Sequence, residues 1–268
     1  MRDWLERLAW GQPAVLDWGR DAGQDDFESG QTKSRNYAAR RLFVSEGVPI
    51  LLLPGMAADE RLFESQRAQF GNLRVPAWID PLPNESLRAY AIRLAQAVNP
   101  GCPCIVGGAS FGGIVALEMA AHLQAVACVL IGSVRSSAEL PWRWRVLRPF
   151  ASLGPDWLRV FAGAAAWFGR PVLARGTVRR LQHLSQPERS FVRWAICAVL
   201  RWSPSPAARL AQIYHIHGEA DRTFPVVLTR PDVIVPGGGH ALSLFSPTAV
   251  NEFLASVIGR VDSHSMTQ

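Results

Sequence analysis

Lysine, cysteine and long apolar stretches are scarce in this chain of 268 residues. Lys33 is the only lysine, so arginine carries almost all of the positive charge behind the formal net charge of +6. Because no recognised nucleic-acid-binding motif accompanies that charge, we expect no nucleic-acid partner. The four cysteines, Cys102, Cys104, Cys128 and Cys197, fit neither a zinc knuckle nor a CxxC redox pair. No run of about 18 apolar residues is available for a membrane-spanning helix.

The first ten residues, MRDWLERLAW, lack the uninterrupted apolar core of a secretory signal, because Asp3 and Glu6 interrupt it. The sequence therefore predicts a cytoplasmic protein. Hydrophobic residues make up 49% of the chain and charged residues 19%, which is typical of a folded globular protein. Residues 1–40 contain the polar run DAGQDDFESGQTKSRN and are predicted to form a partly mobile arm.

Apolar strand patterns alternate with helical patterns on either side of a central segment. Before it come a predicted hairpin (RRLFV and PILLLPG), a strand (LRVPAWIDP), a helix (SLRAYAIRLAQAV), a strand (CPCIVGGAS), a helix (IVALEMAAHL) and a strand (AVACVLIG). After it come the strands QIYHIHG and PDVIVPGGGH and a helix over 247–258. This order predicts an α/β core over 41–132 and 207–260, with a mostly parallel sheet flanked by helices, and a tail over 261–268.

The segment 133–206 has no strand pattern and a composition of its own. It holds 12 arginines against three acidic residues, and six of the ten tryptophans. Helical spacing in PDWLRVFAGAAAWFG and PERSFVRWAICAVLRW predicts a helical cap inserted into the core. Its aromatic side chains either pack against the protein interior or line a channel for an acyl chain. Its arginines form a solvated face, meet an anionic group of the substrate, or contact an anionic membrane surface peripherally.

The strongest chemical signal is GASFG, residues 108–112, a GxSxG pentapeptide between an apolar strand and a helix. A turn this sharp strains the central residue and needs small neighbours, which the glycines provide. Ser110 would then present its hydroxyl at the start of the helix as a nucleophile. The backbone NH of Phe111 and that of Met56, in the loop after LLLPG, are the predicted donors of an oxyanion hole.

A serine hydroxyl needs a base, usually a histidine that a carboxylate orients. His240 follows an apolar strand and three glycines and is the predicted base. Asp221, on the loop after the strand QIYHIHG, is the predicted acid, with Glu219 as its rival. His215 and His217 alternate within that strand and are predicted to be structural.

Taken together, these segments resemble the α/β-hydrolase superfamily: PILLLPGM, GASFGG, HGEAD and GGGH occur in the family's order. The resemblance implies an eight-stranded type of core, mostly parallel, with a cap after the sixth strand. The chain departs from the family pattern in having Pro54 where many relatives have histidine, and in apparently reduced first strands. Only 18 residues separate Asp221 from His240, so the intervening helix must be very short or absent.

The predicted function is hydrolysis of a carboxylic ester or thioester through an acyl-enzyme, with a small-molecule substrate and no metal or cofactor. The alternatives are acyl transfer to an alcohol, other chemistry of the same triad, and a non-catalytic ligand-binding protein on the same fold.

Overall fold

A parallel sheet forms the centre of the computed structural model, which describes residues 14–15, 47–151, 189–208 and 212–265. Over these residues the sheet has seven strands in the order β1-β7-β6-β5-β4-β2-β3, and each neighbouring pair is parallel. The strands are β1 (Ala14–Val15), β2 (Ile50–Leu53), β3 (Leu73–Arg74), β4 (Cys104–Ala109), β5 (Ala125–Ile131), β6 (Ile213–Gly218) and β7 (Val233–Val235). The predicted fold class is therefore confirmed.

Seven α-helices are described: α1 (Glu64–Gln69), α2 (Leu87–Val98), α3 (Phe111–Met119), α4 (Trp142–Ala151), α5 (Arg189–Arg201), α6 (Leu242–Phe245) and α7 (Pro247–Ser265). Short 3₁₀ helices cover Glu60–Phe63, Ala120–His122, Ser137–Glu139 and Val226–Leu228. The helix α2 starts where its pattern predicts, because the Ser86 side chain accepts a hydrogen bond from the Ala89 NH. No helix in the described part of the chain is long and apolar enough to cross a membrane.

Helices cover both faces of the sheet, which explains why its central strands are apolar throughout. Successive side chains of a strand point to opposite faces. Leu51 and Leu53 accordingly belong to one core with residues of α2, α3 and α5. Ile50 and Leu52 belong to the other, with residues of α6 and α7.

Several elements differ in extent from their sequence patterns. The strand predicted in LRVPAWIDP ends at Arg74, two residues before Pro76, which has no NH for a sheet hydrogen bond. The last helix runs to Ser265 rather than ending at Ile258, so it enters the predicted tail, and Val261 is buried. Between Asp221 and His240 the only helical turn described is the 3₁₀ helix Val226–Leu228, as the short spacing predicted.

The predicted cap lies partly outside the described residues, and so do most of the predicted arm and RRLFV, the first strand of the predicted hairpin. The described parts of the predicted cap contain the 3₁₀ helix Ser137–Glu139, α4 and α5, and no strand. Two tryptophans attach the end of the predicted cap to the core: Trp194 Nε1 donates to the Glu85 carbonyl at 2.9 Å and Trp202 Nε1 to Glu118 Oε1 at 2.8 Å. These two side chains are buried and serve as packing.

Candidate active site

Ser110 occupies the sharp turn between β4 and α3, with φ 53° and ψ −120°. Positive φ is rare for a residue with a Cβ and costs about 1 to 3 kcal/mol, so neighbouring structure must hold it in place. Two hydrogen bonds do so: the Ser110 NH donates to the Ile131 carbonyl at 3.0 Å, and the buried Ser133 hydroxyl donates to the Ser110 carbonyl at 2.7 Å. The sheet neighbour β5 thus fixes the turn from both sides.

The flanking glycines are needed for close backbone approach, as the sequence predicted. A Cβ on Gly108 would stand 2.5 Å from the Gly112 carbonyl carbon and from the Leu53 carbonyl oxygen. A Cβ on Gly112 would overlap the carbonyl oxygens of Leu53 and Pro54. The start of α3 therefore rests directly on the end of β2, and the loop after β2 lies beside Ser110.

His240 lies on the loop after β7 and joins Ser110 to Asp221. Its Nε2 is 2.8 Å from Ser110 Oγ, and its Nδ1 is 2.8 Å from Asp221 Oδ2. Because a carboxylate only accepts hydrogen bonds, Nδ1 carries the hydrogen, which leaves Nε2 free to accept from the Ser110 hydroxyl. The Phe224 ring packs edge-on against the imidazole at 5.5 Å between centroids. The structure brings together the three side chains that the sequence singled out.

Asp221 follows β6 and is held at both carboxylate oxygens. Its Oδ1 accepts from the NH groups of Thr223 at 2.7 Å and Phe224 at 3.0 Å. Burial raises the pKa of Asp221, but hydrogen bonds from His217 and His240 outweigh it, so the pKa is well below its ordinary value. Asp221 is therefore a carboxylate at neutral pH although its side chain is fully buried.

The rival acid Glu219 does not reach His240. Its side chain is exposed and accepts a hydrogen bond from the Gly237 NH at 2.8 Å. It closes the turn before the histidine, whereas Asp221 contacts the histidine itself.

The two predicted oxyanion-hole donors belong to segments that adjoin Ser110. Phe111 is the first residue of α3, so its NH belongs to the first-turn groups that no carbonyl of the same helix accepts. Met56 follows Gly55, whose Cβ position is 3.8 Å from the Ser110 Cβ. The loop after β2 thus approaches Ser110, and the role of the two amides as donors remains a prediction.

His217 is a neighbour of the acid that the sequence did not predict. Its Nε2 lies 3.3 Å from Asp221 Oδ2 and 2.7 Å from the Phe224 carbonyl oxygen. The spacing of four residues between His217 and Asp221 across the end of β6 was the signal available in the sequence.

A cavity of about 300 Å³ lies beside Pro54, the first residue after β2. Apolar residues line most of it, among them Pro54, Val75, Trp78 and Phe191, and the acidic residues Asp59, Glu60 and Asp80 also line it. The Trp78 ring also packs against Phe111, the residue after Ser110, at 5.4 Å between centroids. Among the described residues no group of three His, Cys, Asp or Glu side chains is arranged to hold a metal ion.

Comparison with known proteins agrees with this architecture. A family model described as "Alpha/beta hydrolase family" matches residues 50–253. An esterase from Thermogutta terrifontis superimposes with a TM-score of 0.57 at 20% identity, over 80% of this chain and 90% of the esterase. A hydrolase from Pseudomonas aeruginosa PA01 gives 0.56 at 18% identity, over 79% and 90% of the two chains.

The N-acyl homoserine lactonase AidH gives a TM-score of 0.57 at 16% identity, over 81% of this chain and 91% of the lactonase. At these identities the likeness is one of fold, and no curated protein sequence matches the chain. The family model, however, covers more than half of the chain and includes Ser110, Asp221 and His240. The chain belongs to the alpha/beta hydrolase family.

Proposed function

We propose that this protein is a serine hydrolase that cleaves a carboxylic ester or thioester through an acyl-enzyme, with Ser110, His240 and Asp221 as its catalytic residues. The observation that carries the proposal is the continuous pair of 2.8 Å hydrogen bonds from Ser110 Oγ through the imidazole to Asp221. A strained serine at the start of a helix supports it, since such strain persists where function requires it.

In the acylation step, Ser110 Oγ attacks the substrate carbonyl carbon while His240 Nε2 takes the hydroxyl proton. The negative charge that develops on the carbonyl oxygen is received by the NH groups of Met56 and Phe111. His240 then gives its proton to the leaving oxygen or sulfur as the bond from the carbonyl carbon breaks. Asp221 remains ionised throughout and stabilises the imidazolium.

Deacylation repeats these steps with water as the nucleophile. His240 takes a proton from the water as its oxygen attacks the acyl carbon, and returns it to Ser110 Oγ as the acyl–serine bond breaks. The products are a carboxylic acid and the regenerated hydroxyl.

The mostly apolar cavity supports an apolar, uncharged acyl or alcohol group as part of the substrate, because its lining residue Trp78 packs against Phe111, next to Ser110. Its lining offers no positive charge to a carboxylate, and the carboxylates of Asp59, Glu60 and Asp80 repel one. The esterase and lactonase among the structural relatives act, by their names, on bonds of the same chemical class.

Labelling with a fluorophosphonate tests the proposal. The wild type should be labelled, Ser110→Ala should not, and Ser256→Ala, which changes an exposed serine on α7, should be labelled like the wild type. A chain-length series of p-nitrophenyl esters and acyl thioesters then identifies the preferred bond and acyl group. Equal labelling of wild type and Ser110→Ala would refute the proposal, and a protein that binds ligands without being labelled would be a non-catalytic receptor.

Acyl transfer to an alcohol is the second candidate, because the same acyl-enzyme serves both reactions. Product analysis in mixtures of water and a short alcohol separates the two. A cap over 133–206 and a cytoplasmic location are further parts of the proposal.

Peripheral membrane contact is supported by the surface of α4. Trp142 and Val146, one helical turn apart, are 67% and 57% exposed, and three arginines but no acidic residue lie on the same helix. Cosedimentation with phosphatidylglycerol vesicles should exceed that with phosphatidylcholine vesicles and should fall in Trp142→Ala. Equal recovery with both lipids would contradict this contact.

A further inference from the structure

Two buried histidines stand behind the acid and take no part in the steps above. His215 and His217 are both fully buried, two residues apart on β6. His217 Nε2 faces two acceptors, the Phe224 carbonyl oxygen at 2.7 Å and Asp221 Oδ2 at 3.3 Å. Because neither acceptor has a hydrogen to give, His217 Nε2 must carry one.

The position of that hydrogen determines the tautomer of the neighbouring ring. His217 Nδ1 is 3.0 Å from His215 Nε2, so one of these two nitrogens donates to the other. Burial is the main reason why the pKa of His215 is well below its ordinary value, so that ring is neutral. A neutral His217 then accepts at Nδ1 from His215 Nε2–H, and His215 Nδ1 has no hydrogen-bond partner among the described residues.

His217 Nε2 and His240 Nδ1 face the same oxygen of Asp221, Oδ2. Asp221 Oδ2 lies 2.8 Å from His240 Nδ1 and 3.3 Å from His217 Nε2, while Oδ1 accepts two backbone NH groups. We propose that His217 is a positioning residue for the proposed reaction: by sharing Oδ2 with His240, it holds the carboxylate and limits how strongly Asp221 retains a proton on His240. His215 fixes the tautomer that makes this possible.

Other charged groups near the two rings act more remotely. Glu139, in the 3₁₀ helix Ser137–Glu139, is close enough to His217 for its charge to affect that ring, and its carboxylate accepts the Arg135 backbone NH at 2.7 Å. The Arg135 guanidinium lies 3.3 Å from the Asp232 carboxylate, which also accepts a hydrogen bond from the backbone NH of His215 at 2.6 Å. Since Glu139 makes no hydrogen bond to Asp221, Glu139→Gln separates its charge effect from that of His217.

The direction of the effect follows from the geometry of Asp221. Without His217, the two backbone NH groups still hold Oδ1, so Oδ2 stays beside His240 but carries more negative charge. The imidazolium form of His240 is then stabilised, and the histidine becomes a free base only at higher pH. In His217→Gln the side-chain amide supplies an NH in place of Nε2–H, so the change should be largely reversed.

Titration of the His240 ring by NMR tests the inference on the full chain. In protein labelled with ¹³C-histidine, the Cε1–H signal of His240 is identified by its absence in His240→Gln. We expect its midpoint to rise by about half a pH unit or more in His217→Leu, and to stay near the wild-type value in His217→Gln and in Glu139→Gln. His122→Gln, at an exposed position, is the control. An unchanged or lowered midpoint in His217→Leu, or an equal shift in His217→Gln, would overturn the proposal.

Two further measurements complete the test. Long-range ¹H–¹⁵N spectra of the wild type should show Nε2–H tautomers for both His215 and His217; an Nδ1–H on a neutral His217 would overturn the proposal without any variant having to fold. In ester hydrolysis, His217→Leu should move the acid limb of kcat/KM upward while KM changes by less than about twofold. The NMR titration does not require turnover, so absence of fluorophosphonate labelling would refute the proposed function and leave the role of His217 separately testable.

Discussion

Replacing Asp221 by asparagine should abolish most of the activity without removing any contact volume. In the wild type all four neighbours of the carboxylate are NH donors: Thr223 and Phe224 at Oδ1, His240 and His217 at Oδ2. The two backbone donors cannot rotate, so the asparagine carbonyl oxygen takes the Oδ1 position. Its NH₂ group must then occupy the Oδ2 position and face the hydrogen on His240 Nδ1.

That conflict is relieved when His240 moves its hydrogen to Nε2. Nε2 then donates towards Ser110 instead of accepting its proton, and the base is lost. Trapping a catalytic histidine in the wrong tautomer costs roughly 10⁴ in kcat in the serine proteases that serve as the general precedent. A loss of that size corresponds to about 5 kcal/mol of transition-state stabilisation.

The assay is the pre-steady-state release of p-nitrophenol, which isolates acylation from deacylation. Glu219→Gln is the matched control, since Glu219 contacts only the Gly237 NH, and it should retain acylation within about threefold. An Asp221→Asn rate within about tenfold of the wild type would refute the reasoning, as would an equal loss in Glu219→Gln.

Three further predictions concern stability. Gly112→Ala should lower the free energy of unfolding by about 1 to 3 kcal/mol and impair catalysis, because the new Cβ would overlap two carbonyl oxygens at the end of β2. In the same urea titration the control Gly259→Ala should be neutral or stabilising, because the space around Gly259 on α7 is open. Trp194→Phe should cost about 1 to 3 kcal/mol by leaving the Glu85 carbonyl unpaired, with thermal unfolding as the measurement and no loss as the contrary result. Folding lowers the pKa of Asp221, so its charge stabilises the fold above its ordinary pKa of about 4, and this contribution is lost as pH falls through the lower folded value. The free energy of unfolding in urea should therefore differ less between wild type and Asp221→Asn at pH 3 than at pH 7. A larger difference at pH 3 would contradict this prediction.

Much of the core was predictable because its signals are local. The apolar runs of β2, β4 and β5, the glycines around Ser110 and the Ser86 cap of α2 each specify a conformation within a few residues. The placement of Ser110, Asp221 and His240 also follows from local patterns, since each lies within five residues after a strand of a parallel sheet, where carboxyl ends meet at one edge.

Features that depend on distant contacts were not predictable. The strand β3 is shorter than its pattern because Pro76 interrupts it at the edge of the sheet. The helix α7 is longer because Val261 packs into the buried apolar cluster on that face of the sheet. The role of His217 depends on the path of the loop that brings the Phe224 carbonyl and Asp221 back to β6. The cavity, similarly, joins Pro54, Trp78 and Phe191, which are far apart in sequence.

The most direct test of the catalytic assignment is intact and peptide mass spectrometry of the protein quenched during turnover of a p-nitrophenyl ester. The account predicts a single acyl adduct on the peptide containing Ser110, present in the wild type and absent in Ser110→Ala. An adduct at another residue, or hydrolysis that persists in Ser110→Ala at the wild-type rate, would contradict it.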